Sequence, residues 1–263
     1  MWKCICMAVA LWGCTGVLQA KVVLPSVFTD NMVLQQKTDI TFYGDATKNK
    51  QLTVKTGWNG KEYYTEADGQ GKWSLKIPTP AAGGPYEITF SDGKKLQLKN
   101  VMIGEVWFCS GQSNMAFRVN ESVKEEQQQQ LDYAKQHSQI RLFDLKPRWE
   151  TYAVEWDASV LDSLNRLQYY HDAQWEVCDT RNTARFSAIG FAFGRMLADS
   201  LQVPIGLILN AVGGSPTEAW IDRKTLEFEF TDILYNWTQN DFIQDWVRGR
   251  AVLNTKKSSD KLQ

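Results

Sequence analysis

Histidine is nearly missing from this chain: His137 and His171 are the two it has in 263 residues. Any step that needs an imidazole base therefore has few candidates, and neither a metal nor a cofactor is expected. An excess of one charge is missing too. The net charge is −1 with no basic stripe, which argues against a nucleic-acid partner. Beyond the first twenty residues no apolar run is long enough to span a bilayer. Cysteine is scarce: Cys4, Cys6 and Cys14 fall at the start of the chain, leaving Cys109 and Cys178. Two thiols in an oxidising compartment can pair, but Cys109 ends an apolar run, so a buried free thiol is expected.

What is present begins with an export signal. Lys3 is positive, Ile5 to Leu18 is mostly apolar, and Ala20 offers a small residue for cleavage. Cleavage after Ala20 is expected. The alternative is lipidation at Cys14, although Trp12 is bulky for a lipoprotein signal. Either route predicts an exported protein, secreted or periplasmic, or lysosomal in a eukaryote.

Residues 21–101 alternate strand patterns with turns. Leu52 and Val54, then Trp73, Leu75 and Ile77, then Tyr86, Ile88 and Phe90, then Leu96 and Leu98 keep a period of two. Asn59-Gly60, Asp68-Gly69 and Asp92-Gly93 are hairpin signals. Short strands without helix predict a small antiparallel β-sandwich. It can bind glycan or serve only as a scaffold. Eleven tryptophans suit sugar handling and suit a bulky core equally.

From Gly104 the pattern changes. Val106 to Cys109 reads as a strand buried on both faces, broken by the turn residues Ser110-Gly111-Gln112-Ser113-Asn114. A serine there sits at the carboxyl edge of the sheet, where open α/β sheets place ligands. Ser122 and Glu125 predict a capping box for a polar surface helix, and Ile140 to Leu145 a second strand. Lys146 to Arg181 is irregular and aromatic. Phe186 to Leu201 predicts an amphipathic helix along Phe186, Ile189, Phe193 and Leu197, with Gly190 and Gly194 allowing close approach to the sheet. Ile205 to Val212 is a third strand, and strand–helix–strand spacing predicts a parallel sheet. It ends in Gly213-Gly214-Ser215-Pro216-Thr217-Glu218, which suits an N-cap at Ser215 with a capping box closed by Glu218. The later apolar residues Ile233, Leu234, Trp237, Phe242, Ile243, Trp246 and Val247 suggest helix before a polar tail.

Three segments, LPSVFTDNMVLQQ from Leu24, GEVWFCSGQSNM from Gly104 and FSAIGFAFGRMLADSLQVPIGLILNAVGGSPTEAW from Phe186, resemble the sialate O-acetylesterase family of SGNH-type carbohydrate acetylesterases. The resemblance covers most of the chain from about Lys21 to Ile221. It implies an α/β fold: an SGNH/flavodoxin-like parallel-sheet hydrolase domain preceded by the sandwich. It makes Ser113 the nucleophile within the turn of Gly111, Gln112 and Asn114. Ser113 and one glycine of the pair Gly213/Gly214 become oxyanion donors, and an O-acetylated glycan the substrate, with xylan and sialic acid both open.

The family's base is a histidine in a DxxH motif, accompanied by a QGE-type block, and neither occurs in this sequence. His171 stands as the weak substitute. The chain therefore resembles the front portion of a longer enzyme, divided into a signal peptide (1–20), a sandwich (21–103) and the amino-terminal part of an esterase domain (104–263). The alternatives are a non-catalytic glycan-binding protein, and an enzyme completed by His171 or another subunit. Oligomeric state is not readable. Mature protein is expected to begin at Lys21; amino-terminal sequencing of exported protein checks this, and a lipid on Cys14 would contradict it.

Overall fold

The computed structural model describes residues 22–148, 159, 162, 163, 166 and 168–238. The expected leader, most of the aromatic loop (149–167) with Trp149 and Trp156, and the predicted helical residues from Phe242 onward lie outside the described residues.

One strand organises the rest. β7 (Lys95–Gly111) runs for 17 residues, straight through the boundary expected at 103/104. Its first half pairs antiparallel with β6 (Gly83–Ser91) across the Asp92-Gly93 hairpin. Beyond β6 lie β3 (Gln51–Thr56) and β4 (Glu62–Glu66), joined through Asn59-Gly60. The Asp68-Gly69 signal marks a turn between sheets instead of a hairpin. After it, β5 (Lys72–Pro78) crosses over to pair with β2 (Asp39–Asp45). Phe42, Leu52, Val54, Ile77, Ile88 and Phe90 fill the space between these sheets, as period-two alternation requires.

Within β7 the alternation slips. Ile88 pairs with Leu98 but Tyr86 with Val101, so β7 carries one extra residue beside Asn100, whose φ is 55°. Such a bulge re-aims the strand. The second half then turns to new partners. β1 (Val33–Gln35), which the sequence did not signal, runs parallel to Met102–Gly104. β10 (Ile205–Ala211) runs parallel to Glu105–Gly111, and β8 (Ile140–Asp144) parallel to β10. A short antiparallel β9 (Trp175–Val177), also unforeseen, closes the far edge. The three parallel strands are thus not a sheet by themselves; they continue the sandwich sheet.

Helices cover one face. α2 (Lys124–Ala134) begins without the expected capping box, because Val123 is its N-cap and makes no side-chain bond. The box forms one turn earlier, where Glu121 accepts from the Arg118 N–H at 2.7 Å. The helix expected over Phe186–Leu201 forms as α4 (Ala188–Leu201), capped by Ser187, and a short unforeseen α3 (Thr180–Ala184) precedes it. The buried face of α4 is Gly190, Phe191, Gly194 and Ala198, whereas Ile189 is 49% exposed and Phe193 37%. The glycines decide this. A Cβ on Gly194 would come within 2.5 Å of Leu207 Cδ1, so the helix lies against β10 on its glycine side. Cys109 and Cys178 are buried and free, burial raising both thiol pKa values, that of Cys178 to about 11. α5 (Arg223–Glu229) and α6 (Thr231–Thr238) follow. Among the described residues no helix is long and apolar enough to cross a membrane.

Gly104 is the tightest point of the junction, since a Cβ there would sit 1.9 Å from the Pro204 carbonyl oxygen. Gly104→Ala is expected to cost about 3 kcal/mol, the upper end of ordinary overpacking, read as a lower urea midpoint. An unchanged midpoint would show that the junction can yield.

Candidate active site

The sequence brings Ser113 to the carboxyl end of β7 by stopping an apolar run with Ser110 and Gly111. Gly111 adopts φ 149°, and a Cβ there would meet Met115 Cβ at 3.3 Å. Gln112 is the N-cap of α1 (Ser113–Ala116), so Ser113 opens a single helical turn and is exposed. Trp107 and Phe108 correct the expectation of a strand buried on both faces, being 41% and 59% exposed. No strand pairs with the β10-distal edge of Glu105–Gly111 among the described residues. At the start of that edge the Gln35 side chain takes over where β1 ends, accepting the Val106 N–H at 2.8 Å. Gln35 and Gln36 amides also hold the Glu105 carboxylate at 3.1 and 2.7 Å, keeping its pKa low.

The two turns singled out in the sequence come together. β10 pairs alongside β7 as far as Ala211 with Gly111, and the next residue, Val212, donates its N–H to the Gly111 carbonyl at 3.0 Å. Gly213 and Gly214 follow directly, inside a turn closed by the Ser215 N–H on the Val212 carbonyl at 3.1 Å. Gly214 has φ 79°, which is why glycine is needed there. The expected N-cap at Ser215 does not form. A 3-10 turn (Thr217–Trp220) starts after Pro216, and Ser215 Oγ instead accepts the Trp220 indole N–H at 3.0 Å.

The exit from the Ser113 turn is fixed against α4. The Ala188 N–H donates to the Phe117 carbonyl at 2.8 Å, the Val119 N–H to Phe186 at 3.0 Å, and buried Ser187 Oγ lies 3.4 Å from Met115 Sδ. Gln112 Oε1 lies 3.2 Å from Ser113 Oγ and 3.4 Å from its backbone N. A glutamine amide oxygen thus accepts from both the hydroxyl and the backbone N–H of Ser113.

Neither histidine reaches this arrangement through a hydrogen bond given by the structure. His137 is half-buried, its ring stacked on Tyr133 at 3.6 Å and Nδ1 2.7 Å from the Tyr133 carbonyl. His171 is exposed, and its backbone N–H donates to the Lys146 carbonyl at 2.9 Å, just past β8, two strands from β7. Among the described residues no three His, Cys, Asp or Glu side chains form a metal-ligand group.

Sequence reasoning missed two polar residues at the same sheet edge. Asp144 ends β8, its side chain 20% exposed and 3.5 Å from Lys146 Nζ. Burial raises its pKa, against the pull of Lys146, Arg118 and Arg185. Asn210 lies beside Ser110 in register and against Tyr170, whose phenol burial pushes up. A polar residue at or next to the end of a mostly apolar strand, as in IRLFD and IGLILNA, was the available signal.

Residues 103–253, more than half of the chain, match the family described as carbohydrate esterase, sialic acid-specific acetylesterase. The chain is 28% identical to the sialate O-acetylesterases of Pongo abelii and Homo sapiens over 218 residues, 77% of this chain and 39% of theirs. It is 30% identical to that of Rattus norvegicus, over 76% of this chain and 38% of the relative. It therefore spans about two fifths of the length of the curated relatives it matches. A carbohydrate acetylesterase from Xanthomonas citri superposes with a TM-score of 0.66 at 29% identity, covering 79% of this chain and 44% of that one.

Because the Asp144 pKa is raised on folding, its ionised form is disfavoured in the native state and stability falls as pH rises through the carboxylate range. Asp144→Asn should therefore raise the urea midpoint at pH 7, and the gain should vanish towards pH 3. A variant less stable at pH 7 would show that the Lys146 contact outweighs burial.

Proposed function

The chain belongs to the carbohydrate esterase family of sialic acid-specific acetylesterases, and from that premise we propose that it carries the nucleophile and oxyanion donors of an exported carbohydrate O-acetylesterase. The observation that carries this reading is the Val212-to-Gly111 hydrogen bond. It joins the Ser113 turn to the Gly213-Gly214 turn, as a tetrahedral intermediate requires.

Ser113 Oγ attacks the acetyl carbonyl, and the new oxyanion takes hydrogen bonds from the N–H of Ser113 and of Gly213 or Gly214. Collapse breaks the bond from the acetyl carbon to the sugar oxygen. That oxygen leaves as a hydroxyl on taking up a proton from solvent, equivalent to the one Ser113 Oγ gives up. Water then hydrolyses the acetyl-serine to acetate and free serine. Each oxyanion donor is worth about 3–4 kcal/mol in the transition state. Before this, the Gln112 side chain has to swing off Ser113 to free both the hydroxyl and the N–H.

The proton from Ser113 has no evident acceptor in the sequence. Without a DxxH histidine, Ser113 at its own pKa is a weak nucleophile, so turnover by this chain alone is slow. Losing a triad member elsewhere leaves roughly 10³–10⁴-fold acceleration over water. Glycan binding without hydrolysis is the second reading, favoured by the amide that Ser113 meets in place of a base. The substrate is an O-acetylated glycan, and acetylated sialic acid and acetylated xylan are to be assayed side by side. Residues 1–20 support export.

Where a base is supplied by any route, a fluorophosphonate should label Ser113, and Ser113→Ala should abolish labelling. Labelling that persists in the variant contradicts the assignment. On a fluorogenic acetyl ester, turnover should stay well below the ~10 s⁻¹ of a typical enzyme. His171→Ala should leave it unchanged, and a loss there would identify His171 as the base.

A further inference from the structure

We propose that the cleft between residues 23–25 and the β2–β5 ribbon is a saccharide-binding site separate from Ser113. Its ligand class rests on the carbohydrate esterase reading above. The cleft is a cavity of about 350 Å³ lined by Val23, Pro25, Tyr43, Asp45, Lys72 and Trp73, inside the size range of ligand sites.

Its walls are held before any ligand arrives. The Val23 N–H donates to the Asp45 carbonyl at 2.8 Å and the Asp45 N–H to Val23 at 2.9 Å. A Cβ on Gly44 would sit 2.2 Å from the Val23 carbonyl oxygen, so glycine lets the walls approach this closely. Rigid walls reduce the ordering cost of binding.

The lining chemistry matches a sugar ring. Tyr43 is 48% exposed, its ring set by an edge contact with Phe28 at 5.5 Å. It offers an aromatic surface for the C–H face of a pyranose. Asp45 and Lys72 form a 2.6 Å ion pair, their side chains 48% and 64% exposed. That pair supplies an acceptor and a donor side by side, as vicinal hydroxyls require. Trp73, 5% exposed, adds apolar surface to the lining. An apolar protein partner fits less well, because it would strip water from the Asp45–Lys72 pair.

The test uses the whole chain carrying Ser113→Ala, run by affinity electrophoresis through gels containing soluble acetylated xylan or an O-acetylated sialomucin. Each polymer is also used after chemical deacetylation. At least one polymer should retard the protein, with or without its acetyl groups, since the cleft reads the ring. Tyr43→Ala should weaken binding about tenfold, Tyr43→Phe should retain it, and small-ester hydrolysis by the Ser113 protein should not change with either. Asp45→Asn, which preserves shape, should also weaken binding and serves if Tyr43→Ala lowers the melting temperature. No retardation by any polymer, with residues 1–20 present or removed, overturns the proposal. Retardation that needs the acetyl groups and ignores Tyr43 and Asp45 overturns it too, placing the ligand elsewhere. A failed esterase reading would look different: retardation intact and no acetyl ester hydrolysed.

Discussion

Backbone hydrogen bonding along β7 is the constraint on which the rest of the structure depends. Buried amides and carbonyls need partners, and no single neighbour accompanies β7 along its length. β6 serves the first half, β1 the middle, and β10 the last seven residues. Each change of partner needs a local device. The extra residue beside Asn100 re-aims the strand, Gly104 admits the Pro204 carbonyl, and the Gln35 amide takes over where β1 stops. The sandwich core and the helix-covered parallel strands are therefore two environments along a single backbone.

Much of this was legible where local patterns are strong. Alternation gave β3, β5 and β6, and continuous apolar runs gave β8 and β10, because burial acts residue by residue. β1 and β9 were not legible. Each is a three-residue strand held by long-range pairing and not by any period of its own. The burial of α4 was misjudged because hydrophobicity pointed to Ile189 and Phe193, while close packing favoured the glycine side against Leu207. Trp107 and Phe108 read as core because apolar residues in a strand usually are. Their exposure depends on what lies beside β7, which no local pattern carries. The capping box was foreseen at Ser122 and formed at Arg118 and Glu121, one turn earlier. At the candidate site, Ser113 and the two glycines were legible through turn chemistry and family resemblance. Asp144 and Asn210 were missed because one polar residue at a strand end looks like an ordinary terminus.

The site's chemistry is unevenly provided. Backbone donors come from the path of the chain, so they are set once Val212 bonds to Gly111. A proton acceptor must be a side chain, and among the described residues the side-chain oxygen that partners Ser113 Oγ belongs to Gln112. An amide oxygen accepts a hydrogen bond but does not take up a proton at ordinary pH.

The two halves of β7 also differ in how far the chain must travel to complete them. Its pairing with β6 closes across three residues, because Ser91 faces Lys95. Its pairing with β10 joins Glu105 to Ile205, and parallel strands have no shorter route than a long crossover. Closing the longer loop costs about 3 kcal/mol more in chain entropy than closing the hairpin. The hairpin half thus has the earlier claim on order during folding. The half bearing the serine takes its alignment from a strand already laid down, and its assembly waits on the arrival of β10.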